Sequence, residues 1–253
     1  MSFRLDDYKT LVTGASRGIG RAIAIEYAKA GADVALLARD EEKLREVAAE
    51  IEALGRRAVV VPADVLDAEV LRAQVKVAID ELGGLDVVVN NAGGNSYMRP
   101  LADMRFDGWA KTQRLNVESA VHVLQVAAPA LLASGKASVI NVSSFAGLTG
   151  VPLMSHYGAA KAALISLSQS LAIEWAWANA RVNALCPGWV DTDLTQFARD
   201  NDEAGKALIG RVPMGRWARA DEIAEPAVFL ASTASSFMTG QTLVVDGGMS
   251  VNP

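Results

Sequence analysis

Thr10-Leu11-Val12-Thr13-Gly14-Ala15-Ser16-Arg17-Gly18-Ile19-Gly20 is the stretch on which the reading of this chain turns. Thr10 to Thr13 is short, apolar and β-branched, the composition of a strand. Gly14, Gly18 and Gly20 let the chain turn tightly, and a helix is predicted to follow from about Arg21 to Ala30. Such a turn leaves backbone N–H groups open to a ligand, and the helix behind it aims the positive end of its dipole at the same place. Strand, glycine turn and helix together predict a cradle for a pyrophosphate. A glycine triplet alone also serves an ordinary turn. Its place at the head of a repeating strand-helix pattern favours dinucleotide binding.

Six further runs continue that pattern: Val34 to Leu37, Ala58 to Val61, Val87 to Asn90, Ser138 to Val142, Arg181 to Leu185 and Thr242 to Val245. They lack polar alternation, as strands buried on both faces of a parallel sheet do. Between them lie amphipathic stretches such as Asp40 to Leu54 and Ala68 to Leu82. The alternation predicts an α/β fold, a doubly wound Rossmann-type parallel sheet of about seven strands with helices on both faces. The chain has 253 residues, 51% of them hydrophobic, enough for one sizeable core. No repeat, low-complexity segment or linker interrupts it, so residues 1–253 are read as one domain. The more polar stretch Asp193 to Gly215 suits a helical lid over a pocket, or an ordinary surface excursion.

The 24 basic and 29 acidic residues leave a net charge of −5, with no basic block. Neither nucleic acid nor an anionic membrane is therefore expected as a partner. No apolar run of about 20 residues is read as a membrane span, and Met1 to Thr10 lacks the apolar core of a signal peptide, so a cytoplasmic location is expected. The single cysteine, Cys186, cannot form an intramolecular disulfide and lacks zinc-ligand partners. It reads as a small buried hydrophobe, and no metal site is expected.

Tyr157 and Lys161 stand four residues apart at the start of a predicted helix, Ala159 to Ala172, so both fall on one face. A free tyrosine titrates near pH 10, and a nearby ammonium favours its phenolate. Bringing it to about 7 takes roughly 4 kcal/mol, at ~1.4 kcal/mol per unit. One close, desolvated lysine together with a positively charged nicotinamide ring is expected to supply it. A Tyr–Lys pair at this spacing is by itself commonplace on helix surfaces.

The Gly-x-x-x-Gly-x-Gly spacing and the Tyr-x-x-x-Lys pair resemble the short-chain dehydrogenase/reductase family, and the likeness extends nearly end to end. It implies that Ser144, thirteen residues before Tyr157, holds the substrate oxygen, with Ser143 as the neighbouring rival. It implies that Asn116, in Leu115-Asn116-Val117, holds a water linking the lysine to solvent. The plain reading of Asn116 is a polar residue that caps or kinks a helix. Asp64, with Val65 beside it, resembles the acid that meets the adenine amino group. Asn90-Asn91-Ala92-Gly93 resembles the motif that lines the cofactor and braces the sheet. Pro187-Gly188-Trp189-Val190-Asp191-Thr192 resembles the segment that meets the nicotinamide carboxamide, through Thr192 and the Val190 backbone. Val245-Asp246-Gly247-Gly248 resembles the end of the family's sheet.

The resemblance thus implies a catalytic set of Asn116, Ser144, Tyr157 and Lys161. The implied cofactor set adds Gly14, Ser16, Arg17, Gly18, Ile19, Gly20, Arg39, Asp64, Val65, Asn91, Ala92, Gly93, Pro187, Gly188, Val190 and Thr192 to Tyr157 and Lys161. It also implies a homotetramer, for which the apolar stretches Leu164 to Trp177 and Phe237 to Val245 offer surfaces.

Which nicotinamide cofactor binds turns on three residues. An acid about 20 residues beyond the glycines binds the ribose of NAD in the common fingerprint, and Asp40 meets that count. Asp40 is also well placed as the N-cap of the helix Glu41 to Leu54. NAD-preferring members of the family resemble one another in carrying an acid where this chain has Ala38. Arg39 and Arg17 can reach a 2′-phosphate with charge-assisted bonds. NADP(H) is expected, with NAD(H) as the alternative. The expected activity is hydride transfer between nicotinamide and a small-molecule carbonyl or alcohol. Alternatives are a 3-oxoacyl-thioester reductase acting on an acyl carrier protein, a polyol or sugar-acid dehydrogenase, and a non-catalytic dinucleotide sensor. A sensor would have no need for the four-residue catalytic set. His156 adjoins Tyr157 but points about 100° away on a helix, so it is expected off the substrate. His122, in the apolar run Val121 to Leu132, is expected to be packed.

Overall fold

The seven apolar runs pair as one parallel sheet in the order β3-β2-β1-β4-β5-β6-β7 in a computed structural model that describes residues 3–196 and 201–252. The strands are β1 Lys9–Thr13, β2 Asp33–Ala38, β3 Ala58–Pro62, β4 Val87–Asn90, β5 Ser138–Val142, β6 Arg181–Pro187 and β7 Thr242–Val245. The helices are α1 Gly18–Lys29, α2 Glu41–Ala53, α3 Ala68–Leu82, α4 Phe106–Gln113, α5 Ser119–Ser134, α6 Ser155–Trp175, α7 Asp202–Ile209 and α8 Asp221–Ala231. The strand order reverses between β1 and β4, which opens a crevice at the carboxyl ends of the strands.

Side chains alternate across each strand, and the two faces fill two cores. Val12, Val34 and Leu36 pack with α1, α2 and α8, including Ile23, Tyr27, Leu44 and Ile223. Leu11, Ala35 and Leu37 face the other way, onto α3 and α5 through Leu71, Val75, Val123 and Leu131. Asp40 and Asp67 cap α2 and α3 by accepting from the Lys43 and Val70 N–H groups, both at 3.1 Å. The ends of two helices differ from their reading. Helix α1 begins at Gly18, inside the glycine turn, and α6 begins at Ser155, so that Tyr157 sits in its first turn.

A π-turn, Arg114–Glu118, joins α4 to α5, and the composite helix runs over 29 residues from Phe106 to Ser134. Among the described residues it is the one helix long and apolar enough, by length and composition, to cross a bilayer; the sequence reading had found no such run. Its residues Ala120, Val123, Leu124, Ala127 and Leu131 are buried in the core shared with α3. The stretch Asp193 to Gly215, read as a helical lid or surface excursion, carries a short 3₁₀ turn, Asp193–Thr195, and α7. Its residues 197–200 lie outside the described residues.

Arg181, 9% exposed at the start of β6, ties the sheet to the end of α8. Its guanidinium donates to the carbonyls of Leu230 (2.8 Å), Ala231 (3.2 Å) and Ser232 (3.2 Å) and to Ser235 Oγ (2.7 Å). A cation here answers both the free carbonyls and the negative dipole end of the helix. Arg181→Leu leaves those carbonyls buried without a donor and should cost roughly 2–4 kcal/mol. A lower urea midpoint at unchanged slope would register the loss.

Candidate active site

At the crevice, the glycine turn is bound to the end of β4. Gly14 has φ +67°, and a Cβ on it would lie 2.8 Å from Asn91 Nδ2. A Cβ on Gly20 would lie 2.3 Å from the Gly14 carbonyl oxygen, so only glycine lets α1 start this close to β1. Asn91 Nδ2 donates to the carbonyls of Thr13 (2.9 Å) and Gly14 (3.3 Å). Thr13 Oγ1 accepts from the N–H groups of Asn91 (3.0 Å) and Ala92 (2.9 Å). The Asn91 side chain is therefore a brace of the turn. Arg17 precedes α1 and makes no side-chain cap, which leaves the first-turn N–H groups for a ligand. Thr192, beyond β6, closes the far side, its methyl 3.3 Å from where a Gly18 Cβ would sit.

The rim carries the residues read as selecting the cofactor. Arg17 meets Asp193 at 3.1 Å, and Arg39 lies 4.0 Å from Asp64. Both pairs are well exposed, and such pairs are worth about 0–1 kcal/mol. A phosphate could draw either arginine away at little cost. Asp40 is spent on capping α2, as its position predicted, and Ala38 ends β2 without a carboxylate. Asp64 also accepts from the Leu66 N–H at 3.0 Å. Val65 lines a small cleft with Thr13, Asn90 and Ala92. These features fit a dinucleotide.

The four residues read as catalytic converge where β4 and β5 end and α6 begins. Ser143 Oγ donates to the Lys161 carbonyl at 2.7 Å and so belongs to the scaffold. Ser144 instead hydrogen-bonds the Tyr157 side chain, which separates the two serines as the sequence alone had not. Lys161, 3% exposed, donates from Nζ to the Val142 carbonyl at 2.9 Å. Asn116 sits in the π-turn, a feature common at functional sites. Its amide binds both the N–H and the carbonyl of Gly94, and also the Thr112 carbonyl, each at 3.0 Å. Gly93 lies between it and the lysine: a Cβ there would be 2.6 Å from Asn116 Oδ1 and 3.2 Å from Lys161 Nζ.

Burial dominates the electrostatics of both groups. Burial pushes the Tyr157 phenol up to about 12, although the Ser144 hydrogen bond pulls it down. Burial likewise lowers Lys161 to about 8. Lys161 Nζ stands 5.6 Å from the Tyr157 ring centroid and donates to a carbonyl, so within the chain itself desolvation of the phenol outweighs the pull of the lysine.

The segments behind these residues act as braces. Gly188 packs against the Asp246 backbone, where a Cβ would come within 2.7 Å of Cα. The Asp246 carboxylate accepts from the N–H groups of Gly248 (2.9 Å) and Ser250 (2.6 Å). Val190 is buried and bridges to Ala218. Cys186 is fully buried, as read. His122 is half-buried. His156 is buried, with Nε2 2.9 Å from Asn95 Oδ1. The reading of the sequence missed Thr13 as the hub of the turn and Asn95 and Tyr97 as partners of His156. The last two are about 60 residues away along the chain and carry no motif.

Fold and site define a dinucleotide-binding oxidoreductase. A family model described as enoyl-(acyl carrier protein) reductase matches residues 14–250. A tropinone reductase homologue of Arabidopsis thaliana is 40% identical over 252 residues, covering 98% of this chain and 92% of the relative. A 3-oxoacyl-(acyl-carrier-protein) reductase of Staphylococcus aureus is 38% identical, covering 94% and 96%. Among solved structures, a short-chain alcohol dehydrogenase described from Sinorhizobium meliloti superposes with a TM-score of 0.95 at 37% identity over all of both chains. A gluconate 5-dehydrogenase of Burkholderia cenocepacia, in complex with NADP and tartrate, gives 0.93 at 35% identity over 99% and 98%. The chain belongs to the short-chain dehydrogenase/reductase family.

The buried lysine leaves a signature in stability. Its pKa falls from 10.5 unfolded to about 8 folded, so the folded state disfavours the charged form. That penalty, roughly 3 kcal/mol, is full below about pH 8 and vanishes as pH rises towards 10.5. Without added nucleotide, Lys161→Met should unfold at a higher urea concentration than the parent at pH 7, and the gap should narrow as pH rises from 8 to 10.

Proposed function

We propose that this protein is an NADP(H)-dependent oxidoreductase that interconverts a small-molecule ketone or aldehyde and its alcohol. The observation that carries the reading is the convergence of Ser144, Tyr157, Lys161 and Asn116 beside the glycine turn, a set that a dinucleotide sensor would not need. When bound, the nicotinamide supplies or accepts the hydride. Ser144 orients the substrate oxygen, and Tyr157 gives it a proton in reduction. A phenol held near 12 is protonated at neutral pH and ready to donate. Lys161 holds the cofactor ribose and, once nicotinamide adds its positive charge, helps bring the phenol down. Asn116 supports the path by which the proton is replaced.

Arg39, Arg17 and Ala38 support a preference for NADP(H), in keeping with the NADP in the Burkholderia relative. Titration with both cofactors should give tighter binding of NADP(H). Arg39→Ala should weaken it about tenfold and leave NAD(H) nearly unchanged. Equal affinity for the two in the parent protein would refute the preference.

The substrate reading rests on a panel of tropinone, 5-ketogluconate, ethyl acetoacetate and acetoacetyl-coenzyme A, followed by NADPH absorbance. The named relatives span these chemistries, and preference for the thioester would favour the 3-oxoacyl reading. Tyr157→Phe removes only the hydroxyl and should lower turnover by about 10²-fold or more while nucleotide binding survives. Near-parental turnover would remove Tyr157 from its role.

The same reading includes a homotetramer working in the cytoplasm. Ile173 near the end of α6 and Trp177 in the 3₁₀ turn that follows it, 81% and 78% exposed, together with the fully exposed Phe237 are apolar surface for which a second copy is the natural cover. Light scattering at micromolar concentration should report four chains, and a monomer would refute the assembly.

A further inference from the structure

The segment from Gly94 to Arg99 crosses the first turn of α6 and is tied down at both ends. At one end, both amide atoms of Asn116 hold Gly94. At the other, the Arg99 N–H donates to the Leu153 carbonyl at 2.9 Å. Leu153 has φ +66°, a left-handed conformation that a side-chain-bearing residue adopts only when its surroundings enforce it. Between the ends stands His156. Its Nε2 meets Asn95 Oδ1 at 2.9 Å, and its ring stacks on Tyr97 with centroids 4.3 Å apart at 19°. The imidazole is wholly buried, and its own carbonyl accepts from Gln113 Nε2 at 3.0 Å, which fixes the turn that bears it. The segment alternates: Asn95 and Tyr97 are half-buried towards His156, whereas Ser96 and Met98 are exposed. The Tyr97 hydroxyl is seated against Gly108, where a Cβ would come within 2.7 Å.

Placement and chemistry agree. The imidazole lies next in sequence to the acid–base tyrosine, yet its bonding atom is occupied by the segment opposite. Burial also favours its neutral form, which keeps one N–H to donate. We propose that His156 is a positioning residue, which through Asn95 and Tyr97 fixes residues 94–99 as the wall of the substrate cavity next to Tyr157 and thereby sets substrate affinity and size discrimination. Asn116 anchors the near end of the same wall, so the wall and the proton path share one support. A wall misplaced by an ångström weakens every contact the substrate makes with it. The inference rests on Tyr157 being the acid, but its structural half does not.

The test uses the full chain in four forms: His156→Phe, which keeps an aromatic stack and removes the Nε2 bond; His156→Gln, which restores a donor near Nε2; Asn95→Ala; and the His156→Phe/Asn95→Ala double variant. Hydrogen exchange of peptides spanning residues 94–99 needs no substrate. His156→Phe and Asn95→Ala should each speed exchange about three- to tenfold, the double variant no more than either, and His156→Gln should return towards the parent. With NADPH and the ketone of the panel that turns over fastest, KM should rise by about the same factor in His156→Phe, with kcat and its pH profile within about twofold. Unchanged exchange in both single variants would overturn the proposal. So would a collapse of kcat with a displaced pH profile at constant KM, because the imidazole would then belong to the proton chemistry. If Tyr157→Phe kept its turnover, the assignment of the acid would fail while the exchange result still judged the wall.

Discussion

The contact between Gly20 and the Gly14 carbonyl governs the upper end of this molecule. It is closer than any side chain permits, and it holds α1 against the end of β1. Asn91 can then reach from β4 and hydrogen-bond the two carbonyls of the turn. With Thr13 answering the Asn91 and Ala92 N–H groups, three segments from the first ninety-odd residues are locked at one point. The cradle, the start of the Gly93–Arg99 segment and the approach of Lys161 to Gly93 all take their position from that knot.

Around it the chain accepts costs that a purely structural core would avoid. An ammonium is buried against a single carbonyl, and a half-buried phenol stands beside it with a serine as partner. Each group alone is pushed towards neutrality. Such expense clusters where chemistry is done, because a proton moves most readily between groups whose charged forms are not already comfortable. The remainder of the sheet shows the opposite economy. Its strands carry aliphatic side chains on both faces, and its one deeply buried guanidinium, that of Arg181, is satisfied four times over.

Much of this was legible in the sequence. The seven strands were read to within two residues at either end because runs without polar alternation can be little else when amphipathic helices separate them. Asp40 was legible as a cap because it stands immediately before a charged, amphipathic helix. The catalytic set was legible only through resemblance; the Tyr–Lys spacing alone did not distinguish a site from a helix surface. Three things were hidden. Ser143 and Ser144 differ by which side of a strand end they leave, which composition does not encode. The balance between lysine and burial at Tyr157 depends on solvent exclusion by segments distant in sequence. The packing of Asn95 and Tyr97 on His156 joins two loops by shape alone.

The π-turn at Arg114–Glu118 has a consequence for how this helix could change. Such a turn holds one more residue than the α-helical path around it, so it is equivalent to a single insertion absorbed within a continuous rod. Deleting one residue there would restore regular winding and leave α4 and α5 in nearly the same phase, because the wide turn is what absorbs the extra residue. Asn116, which stands in the widened turn, would lose its hold on Gly94, while Thr112, whose hydroxyl reaches the Gly108 carbonyl at 3.0 Å, would keep its place on α4. The irregularity thus presents Asn116 to the site at no cost to the phase of the two halves, whereas the same deletion within the regular turns of α4 or α5 would rotate one half against the other by about 100°.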